Sequence, residues 1–316
     1  MGRLRKLSAM FVSLCLLLAG CGSKPAEDVP EEISVYATFY PIYAAAAMVA
    51  ENVPDLRLSC LVQPQDGCLR SYVLSDWDAA LLGSADAVLM GGQGLESFEG
   101  ALLLAGEEEE FAVAGALYNM ELINLPAENS DADSDSHWLD ANPHIYMSID
   151  GMIGIVGRIA QSMILLDPRY EIIYLENLEH AEQQLEALKD EVRTQVGDFA
   201  GRKVAVLNEA LVYFAQDCGL EIALCWDRDS GESMGEAEME ALLAAMEERG
   251  IQVVLIEKQA PQGLAEELEE AGIAVARLDV LSTRRAEEGY EGYFAAQREN
   301  AAAVRAAYLS IPEVNE

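Results

Sequence analysis

Few side chains in this sequence could take part in covalent or metal chemistry. The chain has 3 histidines and 6 cysteines among its 316 residues. His144 and His180 have no serine or cysteine beside them, and His137 follows Ser136 in a run of acidic residues that lacks the pattern of a nucleophile motif. The sequence has no Gly-x-Ser-x-Gly elbow, no phosphate-loop motif and no His-Glu-x-x-His motif. These observations argue against an enzyme and favour a binding protein.

The N-terminus has the pattern of a bacterial lipoprotein signal. A basic start, a twelve-residue apolar run and a small-residue step before a cysteine follow one another: Arg3, Arg5 and Lys6; Leu7 to Leu18; Leu18-Ala19-Gly20-Cys21. The apolar run is shorter than the roughly 20 residues that a membrane span needs. We therefore predict a signal peptide over 1–20, lipidation of Cys21, a polar tether over 21–32, and a protein anchored outside the cytoplasmic membrane.

The charge balance excludes one class of partner. The chain carries 55 acidic and 20 basic side chains, a formal net charge of −35. Such a surface repels phosphate backbones, so we expect no nucleic-acid partner. Half of the residues are hydrophobic, which is enough for ordinary folded cores.

The cysteines predict two short disulfides. An extracytoplasmic location permits disulfide formation, and Cys60, Cys68, Cys218 and Cys225 remain after the signal and the lipidated cysteine are set aside. Three connectivities are possible. The short separations favour Cys60 with Cys68, and Cys218 with Cys225.

The elements that must position any site alternate between strand and helix in both halves of the chain. This alternation predicts an α/β fold with two small parallel sheets. We predict an N-terminal lobe over 33–147, a helical segment with a long rigid connecting helix over 148–200, and a C-terminal lobe over 201–316. Ligands of such folds bind beyond the carboxyl ends of the strands, which places the site in the cleft between the lobes.

Eight short segments along the chain form a recognisable series of motifs: Val35 to Tyr43, Ser84 to Val88, Gly92 to Glu96, Asn142 to Tyr146, Leu166 to Pro168, Tyr213 to Leu220, Leu255 to Glu257 and Leu278 to Leu281. Together they resemble one family, the metal-binding solute-binding lipoproteins of bacterial ABC importers. The resemblance covers nearly all of residues 33–308. In that family, two ligands from each lobe hold one divalent ion, which a membrane permease receives.

The resemblance implies a ligand set that this chain keeps only in part. His144 and Asp279 stand at two of the four ligand positions. The third position falls on Asn208, with Glu209 next to it. Glu257, at the end of a predicted strand, is expected either to orient a ligand or to cap the next helix.

The first ligand position, a histidine in the family, has two alternatives here. Ungapped counting places Cys68 there, and counting with one gap places Arg70. A thiolate at Cys68 would complete a four-coordinate set that favours zinc over manganese, provided that it is not bridged to Cys60. In the other alternative, Arg70 would repel a divalent ion and pair instead with Asp279 or Glu209.

The resulting hypothesis is a lipid-anchored substrate-binding protein of an ABC importer. We expect a divalent metal ion as cargo between the lobes, an ABC permease as partner, contact with the membrane through the lipid anchor, and a monomeric chain. Two alternatives stay open at this point. One is the same fold with a degenerate metal site that takes a non-metal or chelated cargo, and the other is an adhesin-like surface lipoprotein.

Overall fold

The structure, a computed structural model, describes residues 32–62, 72–109, 111–129, 141–228 and 234–312. The predictions for residues 1–31, which include Cys21, lie outside the described residues. The same holds for the predictions that concern Cys68 and Arg70. One compact unit begins at Ile33.

The first sheet is parallel, as the alternation of elements predicts. Its strand order is β2-β1-β3-β4, with Val35 paired with Leu58 on one side and with Ala87 on the other. The elements are β1 Ile33–Ala37, α1 Tyr40–Val49, β2 Leu56–Cys60, α2 Asp76–Leu82, β3 Ala87–Met90, α3 Glu99–Glu109 and β4 Ala112–Gly115.

Two details of the first lobe depart from what the sequence predicts. The composition of the acidic run Glu107 to Glu110 predicts a surface loop, but α3 continues through Glu109. Strand β4 follows this run and is only four residues long, so periodicity does not reveal it. The Ser75-Asp76 step is typical of a helix start, and α2 begins there: the Ser75 hydroxyl accepts the Asp78 N–H at 3.2 Å in a capping box.

Two long helices follow, α4 Ile149–Leu166 and α5 Glu171–Val196. A proline inside a helical pattern predicts a break, and the two helices are separated at Asp167-Pro168. By length and composition, α4 is apolar enough to cross a membrane. One face of the helix is buried and includes Met152, Ile155 and Ile159. Such burial is typical of a core helix in a folded domain.

The second lobe repeats the architecture of the first. Its parallel sheet has the order β6-β5-β7-β8. The elements are β5 Lys203–Val206, α6 Leu211–Asp217, β6 Glu221–Cys225, α7 Glu236–Arg249, β7 Val253–Glu257, α8 Gln262–Glu270, β8 Ala274–Leu278 and α9 Glu291–Ser310.

A single hydrophobic cluster reaches both sheets. It contains Val35 of β1, Ile155 of α4, Leu185 of α5, Val206 of β5 and Val304 of α9, all of them buried. The two sheets are therefore tied through the same apolar core, which fixes their carboxyl edges relative to each other.

Candidate functional site

The carboxyl edge of the second sheet gathers four charged side chains. Glu209 follows β5, Arg228 follows β6, Glu257 ends β7 and Asp279 follows β8. The three carboxylates belong to residues that are at most 8 % exposed, and the Arg228 side chain is 3 % exposed. Ionised groups this deep require partners, so their partners decide what the edge can bind.

His144 is held at this edge by the amide side chain of Asn142. Asn142 Nδ2 donates to the carbonyl of Glu209 at 2.7 Å, and Oδ1 accepts the backbone N–H of His144 at 3.0 Å. These two bonds fix which end of the amide is the acceptor. His144 Nδ1 lies 3.0 Å from the same Oδ1, so Nδ1 carries a proton, and in the neutral ring the lone pair is then on Nε2.

Glu209 is the acidic neighbour of the His144 ring. Its Oε1 lies 3.6 Å from His144 Nδ1. The hydroxyl of Tyr213 braces the same segment, because it donates to the carbonyl of Asn142 at 2.7 Å and accepts the N–H of Ile123 at 2.9 Å. A carboxylate thus lies on the Nδ1 side of the imidazole, and both groups are side-chain types that ligate divalent ions.

Asn208, the other candidate at the third ligand position, has its side-chain oxygen engaged in a local turn. Oδ1 accepts the N–H of Ala210 at 3.0 Å, immediately before α6. Of the two candidates, Glu209 is therefore the one whose side chain faces His144.

Asp279 is enclosed by donors of its own lobe. Its Oδ1 accepts the N–H of Leu281 at 2.7 Å, and its Oδ2 accepts from Nε of Arg284 at 2.8 Å. The Lys258 ammonium lies 3.7 Å from the same Oδ2. The backbone of Asp279 is fixed by Asn300, which accepts its N–H and donates to its carbonyl. Within the described residues, the arginine beside Asp279 is thus Arg284.

Glu257 does not cap the next helix, which is one of its two expected roles. Its Oε1 accepts from a terminal guanidinium nitrogen of Arg228, and both side chains are 3 % exposed. Helix α8 instead begins after Pro261 without a side-chain cap. Glu257 is half of a buried ion pair that spans the edge of the sheet from β7 to β6.

Glu96 is a buried carboxylate at the carboxyl edge of the first sheet. It accepts from the hydroxyl of Thr38 at 2.6 Å and from the N–H groups of Gly91 and Gly92 at 2.7 and 2.8 Å. Gly92 has a φ of +79°, a conformation that glycine adopts without strain. Burial raises the pKa of Glu96, while these donors oppose the rise. Glu96 joins the loops that follow β1 and β3.

The predicted disulfide between Cys218 and Cys225 is wrong. Both are free, buried thiols, and burial raises the pKa of Cys225 to about 12. Cys60 is also a free thiol, so the structure does not support its predicted bridge to Cys68 either. Burial raises the pKa of Cys60 to about 12, which keeps it protonated and slow to enter disulfide exchange.

Sequence analysis does not find the arginines that pair with the buried acids. Arg228 and Arg284 are identifiable only from the fold, because their partners lie far along the chain or across a loop. Within the described residues, no group of three or more His, Cys, Asp or Glu side chains is placed to hold a metal ion. The described part of the site therefore consists of the His144–Glu209 pair, with Asp279 and Glu257 each paired to an arginine.

Solved structures with the same fold include metal-binding proteins. The Zn(II)-bound ZnuA-like domain of AdcA from Streptococcus pneumoniae is 21 % identical, with a TM-score of 0.72, and the match covers 87 % of this chain and 98 % of that one. FpvC from Pseudomonas aeruginosa in complex with Mn²⁺ is 18 % identical, with a TM-score of 0.76, and the match covers 88 % and 98 %.

Sequence comparison identifies a family. The chain is 23 % identical over 256 residues to the manganese-binding lipoprotein MntA of Halalkalibacterium halodurans, a match that covers 79 % of this chain and 80 % of that protein. The family model described as "ZnuA: Zinc-uptake complex component A periplasmic" matches residues 35–307. The match spans both sheets and the helices between them, and the chain belongs to this family of zinc-uptake components.

Proposed function

We propose that this chain is the extracytoplasmic solute-binding component of an ABC importer and that its cargo is a divalent metal ion. The observation that carries the proposal is the tautomer of His144. The Asn142 amide holds the Nδ1 proton, which puts the lone pair on Nε2, the form of imidazole that ligates metal ions. A carboxylate, Glu209, lies beside the same ring.

The remaining ligands define which ion is favoured. We propose Cys68 as a thiolate ligand, since a free Cys60 leaves no bridge to that residue. A set of one imidazole, one carboxylate and one thiolate suits tetrahedral zinc better than manganese, which prefers oxygen ligands and more of them. Water would complete the shell.

The anchor and partners follow from the N-terminal pattern and the family. We propose that Cys21 is lipidated, that the chain acts as a monomer at the outer face of the cytoplasmic membrane, and that an ABC permease receives the ion. The compact unit begins at Ile33, so a chain of residues 22–316 keeps the whole folded part for measurements in solution.

Titration calorimetry with Zn²⁺ and Mn²⁺ on residues 22–316, with and without reductant, tests the proposal. We expect one ion per chain and a preference for zinc. His144→Ala should reduce zinc affinity by more than the roughly 10–100-fold that outer-shell changes cost. His180→Ala is the matched control, because His180 is an exposed residue of α5 and should leave binding unchanged. Absence of binding under both conditions would refute a metal cargo.

A second candidate, a non-metal or chelated cargo, is favoured by one observation. The two acids at the ends of β7 and β8 are already paired with Arg228 and Arg284, as a site without a bare cation would require. Thermal unfolding with citrate and with zinc citrate distinguishes the two. A shift in Tm by either anion, with no binding of the bare ions, would select this candidate.

A further inference from the structure

Asp279 has both carboxylate oxygens engaged inside the second lobe. Oδ1 accepts the Leu281 N–H at 2.7 Å, and Oδ2 accepts Arg284 Nε at 2.8 Å. Leu281 adopts a φ of +70°, which is rare for a side chain of this size. The turn after β8 is thus shaped around this carboxylate, and an ion that approached either oxygen would compete with a bond already formed.

The guanidinium of Arg284 is itself held by three carboxylates. Besides Asp279, it donates to Glu288 at 2.9 Å and to Glu299 at 3.0 Å, and its side chain is only 14 % exposed. A guanidinium does not lose its proton in proteins, so this positive charge is permanent. The side chain cannot leave Asp279 without giving up a planar set of charge-assisted hydrogen bonds.

The loop that carries Arg284 is also fixed to the first lobe. The hydroxyl of Tyr40, at the start of α1, donates to the carbonyl of Gly289 at 2.8 Å. Gly289 directly follows Glu288, one of the three partners of Arg284. The arginine therefore lies in a loop held at both ends, by Asp279 on the second lobe and by Tyr40 on the first.

We propose that Arg284 is a specificity-determining residue that keeps Asp279 out of the coordination shell of the cargo ion. The inference rests on the proposed metal cargo. The arginine supplies the positive charge that Asp279 needs, and the ion is left with His144 and Glu209 among the described residues. Loss of a carboxylate weakens a site more for Mn²⁺, which needs several oxygen ligands, than for Zn²⁺, which is satisfied by four ligands of mixed type.

Substitution of Arg284 by glutamine tests this assignment. Calorimetry on residues 22–316 should show that Arg284→Gln raises Mn²⁺ affinity by about tenfold or more and changes Zn²⁺ affinity much less. Arg298→Gln is the matched control. It also removes one arginine from the second lobe, but its partner is the exposed Glu191, so a gain there would indicate only the loss of a positive charge.

A double-mutant cycle with Asp279→Asn isolates the pair. In the Arg284→Gln background, Asp279→Asn should abolish the gain in Mn²⁺ affinity, whereas in the wild-type background it should change affinity for either ion by less than about threefold. Circular dichroism and Tm establish that every variant is folded.

Two outcomes separate this inference from the proposed function. If Asp279→Asn alone weakens zinc binding as strongly as His144→Ala, Asp279 is a ligand and the inference is overturned, while the metal cargo stands. If the wild type binds neither ion but Arg284→Gln binds one through Asp279, the metal cargo is refuted, while the assignment of Arg284 as the group that keeps Asp279 from ligating a metal ion stands.

Discussion

The two sheets treat the carboxylates at their carboxyl edges differently. In the first lobe, Glu96 is held by neutral donors, a hydroxyl and two backbone N–H groups. In the second lobe, Glu257 and Asp279 are each held by an arginine. The edges belong to sheets of the same topology, so the difference lies in the side chains and not in the fold.

The buried carboxylates therefore have two different roles: one holds loops together, and the others form ion pairs. Glu96 fastens two loops and needs no cation, since dipoles supply its hydrogen bonds. Glu257 and Asp279 of the second lobe receive a full positive charge from Arg228 and Arg284, which is the charge that an ion would otherwise provide. Both lobes can therefore keep buried acids without an ion at those positions.

Removal of Arg228 from its buried pair with Glu257 should give the largest loss of stability. Arg228→Met leaves Glu257 buried without its partner, which typically costs about 3–5 kcal/mol in the free energy of unfolding. Urea denaturation measured by circular dichroism gives this quantity. The double variant Arg228→Met with Glu257→Leu is the control and should recover most of the loss, because no charge is then left buried. A loss below about 1 kcal/mol in the single variant would mean that Glu257 does not depend on Arg228.

Glu96→Gln tests the carboxylate that neutral donors hold in the first lobe, and it should reduce the free energy of unfolding by less than Arg228→Met does. The amide can accept at one atom only, so one of the N–H groups of Gly91 and Gly92 loses its acceptor, a cost of about 1–3 kcal/mol at pH 7. Urea denaturation at several pH values also tests the raised pKa of Glu96.

The sign of the pH dependence follows from linkage. Because the pKa of Glu96 is higher in the folded than in the unfolded chain, the native state binds the proton more tightly between the two values, and wild-type stability rises as pH falls through the folded pKa. The glutamine of the Glu96→Gln variant does not titrate, so the stability advantage of the wild type should widen on acidification. A narrowing gap would show that the three donors outweigh burial and lower the pKa.

The sequence predicts the fold well because alternation and caps are local signals. Both parallel sheets, the break at Asp167-Pro168 and the cap at Ser75 are visible without a structure. Strand β4 is not visible, because four residues after an acidic helix end carry too little periodicity. Any strand or helix of so few residues is equally hard to detect from hydrophobic periodicity.

The site is less predictable from the sequence, because the role of each acid depends on which side chain the fold places beside it. His144 and Asp279 stand at the positions that the family resemblance indicates. The pairings of Asp279 with Arg284 and of Glu257 with Arg228 depend on how loops close at the sheet edge. The predicted disulfide fails for a related reason, because a short separation in sequence does not by itself bring Cys218 and Cys225 into bonding geometry.

The smallest effect should come from an arginine–carboxylate pair at the surface. Arg298 and Glu191 are joined at 2.6 Å, a distance typical of a strong pair, yet their side chains are 48 % and 52 % exposed. Water already solvates both charges, so Arg298→Gln should change the free energy of unfolding by only about 0.2–1 kcal/mol in urea denaturation. High salt should reduce that difference further, because exposed charges are screened. A cost near that of Arg228→Met would mean that pairing alone governs these energies, whereas a small cost assigns the difference to burial, the property that distinguishes the edge of the second sheet from the surface.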